Sequence, residues 1–455
     1  MKNFIFFILF FISTFLYAED SGAKQLANQA KASNQAGEGL NQQVLGEIGF
    51  SQIDGDGYLK LSIGYEFTMG IMGLGVMAPI NFLVTCNDEN GCDDKTWNKI
   101  RKEDWDEFSD WLTLVRYFRY GWKFDESNMF YARFGDLGSA YIGHSTIVSS
   151  YLNSISWDEF KPGLQFDVYT PWGGIETIMD DIISPGLMGT RLYVRPTTFF
   201  LGHDNYYSNF AIGTSFIGDR KAKSKVESTD SDGNLVITSK NESLFFYGFD
   251  LEFRVFRNKY VTVTPYTDFN FISDFGHGYH FGIDNKLHIP LTGALFSFKP
   301  EYRILGDQYM PGYFDSMYMV TNELYKYDLL EKQKAKNGYY IELGYEQYFL
   351  NSILFNIKGS YEDYQGKNNS AVLLQGSVPI LESFNFSAIY SKVAFNNFSD
   401  AFDLKNALLI VEASVAIYGP MKVRIQYERT WYEDKDGNLD YDSSWSFGTY
   451  VAFTF

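Results

Sequence analysis

Charged residues at every second position are the part of this sequence with the most chemistry in it. Asp250, Glu252 and Arg254 alternate with Phe249, Leu251, Phe253 and Val255, and Glu342 and Glu346 with Ile341, Leu343 and Tyr345. Lys422, Arg424 and Glu428 alternate with Val423, Ile425 and Tyr427. The same pattern yields Asp284, Lys286, Lys299, Glu301, Arg303, Lys358 and Glu412. A period of two puts successive side chains on opposite faces of a strand, so the charges share one face and the aliphatic and aromatic groups the other. Two roles are open to such a face. It can line a hydrated passage and set its ion preference, or fill a closed interior with ion pairs. Because the signs are mixed, a passage lined this way is expected to prefer cations only weakly.

Other chemistry has little support. The five histidines (His144, His203, His277, His280 and His288) show no metal-ligand spacing beyond the weak His277/His280 pair. There is no Gly-x-Ser-x-Gly elbow and no phosphate-cradling glycine loop, so no catalytic residue, cofactor or metal is assigned. Asp434 to Asp440 and Asp230 to Asn234 space oxygens around a glycine, but Asp-Gly also makes a plain hairpin turn, which is the reading taken. The only cysteines are Cys86 and Cys92. In an exported chain that spacing reads as a short-loop disulfide.

The elements that carry the alternating face are strands of roughly 9 to 13 residues, the length a tilted strand needs to cross a bilayer. Leu59, Leu61, Ile63, Tyr65 and Phe67 make another such run. From the C-terminus backwards, tight turns at 418–420, 379–382, 350–351, around Pro290 and at 257–258 alternate with longer connections at 432–443, 394–405, 364–369, 305–337, 273–277 and 219–243. Short connections therefore gather at one end of the strands and long ones at the other. Residues 138–159 break the alternation, as an extra strand or as a loop folded inward. The connection at 196–208 is long for its end, which leaves room for a miscounted strand. Trp97, Ile100, Trp105, Phe108 and Trp111 predict a short amphipathic helix, and 305–337 is long enough for a lid or constriction.

Aromatic content is 18%, from 42 Phe, 34 Tyr and 8 Trp, which suits half-buried strands with aromatic girdles. The net charge of −18 argues against nucleic acid as a partner, since phosphate contacts need a basic patch. Lys2, the apolar run Phe4–Phe11 and Ala18 before Glu19 read as a signal peptide over residues 1–18. Residues 19–43 have almost no large apolar side chains and read as a flexible periplasmic segment, with a plug inside the strands as the alternative.

The chain closes on Ser444 to Phe455, with Trp445, Phe447, Thr449, Val451, Phe453 and Phe455 on one face. An amphipathic last strand ending on phenylalanine, behind a secretory signal, resembles the Gram-negative outer-membrane β-barrels. The stretch Phe130 to Pro196, with Ala132-Arg133-Phe134-Gly135 and Tyr151-Leu152-Asn153, is similar to outer-membrane proteins of spirochaetes and some other diderms. The resemblance implies an all-β fold, a transmembrane antiparallel β-barrel of 16–20 strands over residues 44–455, integral to the bacterial outer membrane. It also implies that Phe453 and Phe455 act as an assembly signal. The implied partners are outer-membrane lipid, the barrel assembly machinery, periplasmic chaperones and small hydrophilic solutes, with a homo-oligomer as one possible state. Two functions follow: a porin-like channel, or a surface-binding, adhesin-like or structural barrel with an occluded lumen.

Overall fold

The computed structural model describes residues 40–455 except 54–55, 70, 87–94, 98, 122–128, 155–160, 230–234, 259, 290–292, 324, 350–351, 379–383, 405–406, 419–420, 434–438 and 455. It is a closed antiparallel barrel of twenty strands. They run Leu40–Ile53 (β1), Asp56–Met69 (β2), Met72–Thr85 (β3), Val115–Tyr120 (β4), Phe130–Gly135 (β5), Gly163–Thr170 (β6) and Gly173–Met179 (β7). Leu187–Val194 (β8), Phe210–Thr229 (β9), Leu235–Phe253 (β10), Val261–Ile272 (β11), His277–Ile289 (β12) and Ala294–Leu305 (β13) follow. The circle is completed by Lys336–Phe349 (β14), Ser352–Tyr364 (β15), Ser370–Val378 (β16), Phe384–Phe395 (β17), Ala407–Tyr418 (β18), Met421–Glu433 (β19) and Leu439–Thr454 (β20). Each strand pairs with its sequence neighbours, and β1 pairs with β20 from Gln43↔Thr454 to Gly49↔Gly448. Closure leaves no edge along the wall, which a bilayer requires because lipid cannot satisfy free backbone groups.

The two faces of the wall differ as alternation demands. Phe249 is 54% exposed while its neighbour Asp250 is 6%, and on β13 Phe296, Phe298, Tyr302 and Ile304 point out while Lys299, Glu301 and Arg303 point in. Trp445 and Phe447 on β20 also face outward. An apolar exterior over a polar interior inverts the arrangement of a water-soluble sandwich and matches a lipid-facing wall. Among the described residues no helix is long and apolar enough to cross a membrane.

Both described ends of the barrel chain, at Leu40 and Thr454, lie at the end with the shorter connections. Several expectations shift in detail. The first strand starts at Leu40, upstream of residue 44, and the last at Leu439, upstream of Ser444. Most of 219–243 is strand rather than loop: β9 and β10 stay paired out to Thr229↔Leu235 after a bulge between Asp219 and Ala222, so residues 219–229 and 235–243 form a paired stem beyond the wall. No strand is missed at 196–208, which holds a helical turn, Thr198–Leu201, and a 3-10 turn, Tyr206–Asn209. The helix foreseen across Trp97 to Trp111 is confined to Phe108–Thr113. Ile100 instead pairs as a strand with Phe82, and Asp110 caps the Glu107 N–H at 2.8 Å, which fixes where the helix starts. Cys86 is disulfide-bonded, and Cys92 lies outside the described residues. So do residues 1–39, both Asp-Gly turns and Phe455, while Phe453 pairs with Val44 through its backbone.

Candidate functional site

Where β5 ends at Gly135 the wall is low, because β4 and β5 have only six residues each, and the chain turns inward instead of continuing as strand. Asn153 closes the base of this first luminal loop, whose described residues are 136–154 and 161–162. Its Oδ1 accepts from the Leu137 N–H at 2.9 Å, and its Nδ2 donates to the Gly135 and Lys161 carbonyls at 2.9 and 2.7 Å. Ala140 and Tyr151 bridge the two limbs above it. The stretch that broke the alternation is therefore an inward-folded loop.

Its tip, Gly143 to Ile147, meets the charged inner face. His144 Nδ1 lies 2.8 Å from Asp268 on β11, Nε2 lies 3.0 Å from Glu252 on β10, and the ring stacks on Tyr266 at 4.0 Å. Thr146 donates to the other Asp268 oxygen at 2.6 Å. The Gly143 N–H donates to Glu176 on β7 at 2.7 Å. Gly143 has φ +54°, and a Cβ there would meet Arg191 Cδ at 3.0 Å, so both the turn and the close approach call for glycine. Arg191 on β8 binds Asp250 through two nitrogens, at 2.9 and 2.6 Å, and Glu176 at 2.8 Å. Lys299 on β13 donates to the His144 carbonyl and pairs with Glu301 at 3.1 Å.

Glu301 is the hub of the next group. It accepts from Tyr266 at 2.7 Å and Arg303 at 2.8 Å, and lies 3.2 Å from His280. Arg303 reaches Glu362 on β15 at 2.9 Å. Further round, Lys358 pairs with Glu342 at 3.1 Å and donates to Ser150 of the loop at 3.1 Å. Charge on the inner face is thus consumed largely in pairs and in holding the loop. Burial pulls the His144 imidazole down, but the Asp268 and Glu252 carboxylates outweigh it and raise its pKa to about 10, so the ring stays protonated at neutral pH.

The second luminal loop, residues 306–335, packs on the first. Phe314 and Asp315 pair in parallel with Val148 and Ser149. Tyr313, Phe314 and Tyr318 join Ile142, Val148 and Tyr151 of the first loop and the inward-facing Leu244 and Phe246 of β10 in one apolar core. Leu152 and Met317 reach across to Ile389, Leu408 and Ile410 on β17 and β18. Short helices at Tyr318–Glu323 (α1) and Lys326–Glu331 (α2) carry the loop to the stem of β9. There Asn322 accepts from the Lys223 N–H and donates to the Lys221 carbonyl at 2.9 and 3.0 Å, and Asp328 accepts from the Lys225 N–H at 2.9 Å. Side chains thus stand in for a neighbouring strand where β8 has ended.

The closing seam is built differently. Arg424 on β19 reaches over β20 at Gly448 to Glu47 on β1, 2.9 Å away, and lies 3.8 Å from Glu412 on β18. Asp284 and Lys286 on β12 pair at 3.2 Å in a partly exposed position. Glu346, Lys422 and Glu428 are half-buried on the inward-facing side of their strands, and Arg254, also half-buried, lies just past the end of β10. Sequence alone missed Glu176, Arg191, His144, Asp268, His280 and Glu362. Asp268 had a readable signal, since it alternates with Phe269 and Phe271, whereas Glu176 and Arg191 sit in strands too short to show a period.

No family model and no curated protein matches this chain. Among solved structures it is similar to CdiB from Acinetobacter baumannii (8% identity, 91% of this chain and 60% of that one, TM-score 0.28). Others are OccAB4 from Acinetobacter baumannii (11%, 93% and 100%, TM-score 0.32) and the ferric enterobactin receptor PfeA from Pseudomonas aeruginosa (8%, 92% and 81%, TM-score 0.36). The chain spans less than two thirds of CdiB, and at these TM-scores none of these likenesses carries an argument about its activity.

Proposed function

We propose that this barrel is a channel of the bacterial outer membrane that passes small hydrophilic solutes through a lumen narrowed by two inward-folded loops. The observation that carries this reading is the inner wall: charged strand residues on one face, with the two luminal loops packed between β7–β15 and β17–β18. Structural closure alone would not need so many inward charges, since an apolar filling is usually at least as stable as buried ion pairs. On this reading residues 1–18 are a signal peptide and the segment from 19 up to the first strand at Leu40 is a periplasmic lead-in. The loop-bearing end then faces the cell exterior, and Phe453 and Phe455 serve the assembly machinery. The remaining inward charges, from Arg254 to Glu428, line the passage.

A second reading, a closed barrel that displays loops, draws on the apolar core around Phe246, Tyr313 and Phe314. Single-channel recording of refolded residues 19–455 separates the two, with Phe314→Asp as the unseated variant. Steps in the parent chain, or steps that appear only in the variant, support a channel. Silence in both, with heat-modifiable folded barrel present, sinks it.

A further inference from the structure

The bulge between Asp219 and Ala222 resets which face of β9 looks outward. Below it, Ile212 and Phe216 face out. Above it, Ala222 and Ser224 are buried on the luminal side, Ala222 within the loop core. Lys221, Lys223 and Lys225 therefore continue the outward face. They begin about 15 Å along the strand from Phe216 at ~3.3 Å per residue. Phe216 itself belongs to a cluster of outward rings: it stacks with Phe245 at 5.9 Å and packs on Tyr247 at 5.3 Å, and Tyr247 stacks on Phe271 at 4.8 Å. Aromatic rings of this kind mark the boundary between hydrocarbon and head groups.

The row of lysines runs against the sign of a chain with net charge −18. A second feature beside it points to lipid rather than to a soluble ion. Lys221 Nζ donates to the Ser184 carbonyl and hydroxyl at 2.6 and 2.7 Å, which ties the row to the connection between β7 and β8. That connection carries Ile182 and Ile183, both exposed. Two exposed isoleucines beside Lys221, with Lys223 and Lys225 further along the same outward face, make an amphipathic surface. Apolar groups enter the interface and cations meet the phosphates above it. We infer that the β9 stem, through Lys221, Lys223 and Lys225 with Ile182 and Ile183, holds phosphate-bearing lipid head groups at the loop end of the barrel.

This rests on the membrane location proposed above, so the test separates the two. Residues 19–455 are placed in nanodiscs of phosphatidylcholine doped with a diphosphorylated acylated disaccharide, and lipids retained on the protein are counted by native mass spectrometry. Failure to enter the discs would overturn the location. Entry with no preference for the phosphorylated lipid would overturn only the present inference. Charge reversal at Lys221, Lys223 and Lys225 is expected to weaken retention about fivefold for each lysine. Reversal at Lys332 and Lys334, exposed on the second loop, should leave it unchanged. The pair Ile182→Ser and Ile183→Ser should also lower retention, and free inorganic phosphate should not compete. Competition by phosphate, with the serine pair behaving as parent, would mean a soluble-anion site and overturn the lipid assignment. If the triple variant does not fold, Lys223→Gln and a salt titration of the parent chain report the same contact. Retention indifferent to both overturns it.

Discussion

On the wall from β7 to β15, Arg191 and Arg303 are buried and bound to carboxylates that lie under or beside a loop. At the seam, Arg424 also sits between two strand carboxylates, Glu47 and Glu412, across the β1–β20 closure. Both regions use guanidinium groups where bidentate, always-charged donors are needed. The difference lies in what covers them. Gly143 donates to Glu176 and so covers the Arg191 group, while the Arg303 pair stays partly exposed at Glu362. Seam charges, buried as deeply, bind across neighbouring strands at the closure and hold them in register. Inward charge in this barrel therefore does two jobs, and position around the circle decides which.

The largest effect is expected at Arg191. Arg191→Met leaves Asp250 and Glu176 buried without their cation, and the expected loss is about 3–5 kcal/mol. Urea unfolding of the refolded barrel measures it, and a loss below 1 kcal/mol would mean that the loop-covered pairs do not hold this wall together. Next in size is His144→Gln, which removes a charged hydrogen-bonding partner and should cost about 1.5–3 kcal/mol. Because its pKa is raised from 6.5 to about 10, its contribution is complete below pH 6.5 and lost as pH rises through 10. Stability of the parent chain should fall over that window while the variant stays flat there. Equal slopes in the two chains would remove the imidazolium from the loop's attachment.

Arg424→Gln sharpens the seam side. It leaves Glu47 and Glu412 without the guanidinium, so the reversal potential in a salt gradient should move toward greater cation preference, with a melting change smaller than that of Arg191→Met. No shift in reversal potential would take the seam charges out of the conducting path. The smallest effect is expected at Asp284→Asn, whose pair with Lys286 is partly exposed. Pairs of this kind contribute about 0–1 kcal/mol, and a larger loss in the same unfolding assay would show that this position is buried by something further.

Alternation and turn spacing made the barrel legible, because side-chain period and strand length follow from local backbone geometry. They separated Phe249 and Leu251 from Asp250 and Glu252, and placed the short connections at one end. The same rule failed at 219–243, where one bulge kept the strands paired, and at Trp97, where an open edge next to Phe82 drew Ile100 into a sheet.

The pairings inside the lumen were beyond that rule. His144 meets Asp268 across 124 residues of chain, and Ser150 meets Lys358 across 208. Sequence by itself determined which residues of the long, regular strands face inward, since that depends on nearest neighbours along a strand. Only the closed barrel decided which inward charge meets which, because its curvature brings distant strands around one space and the loops fold into what remains.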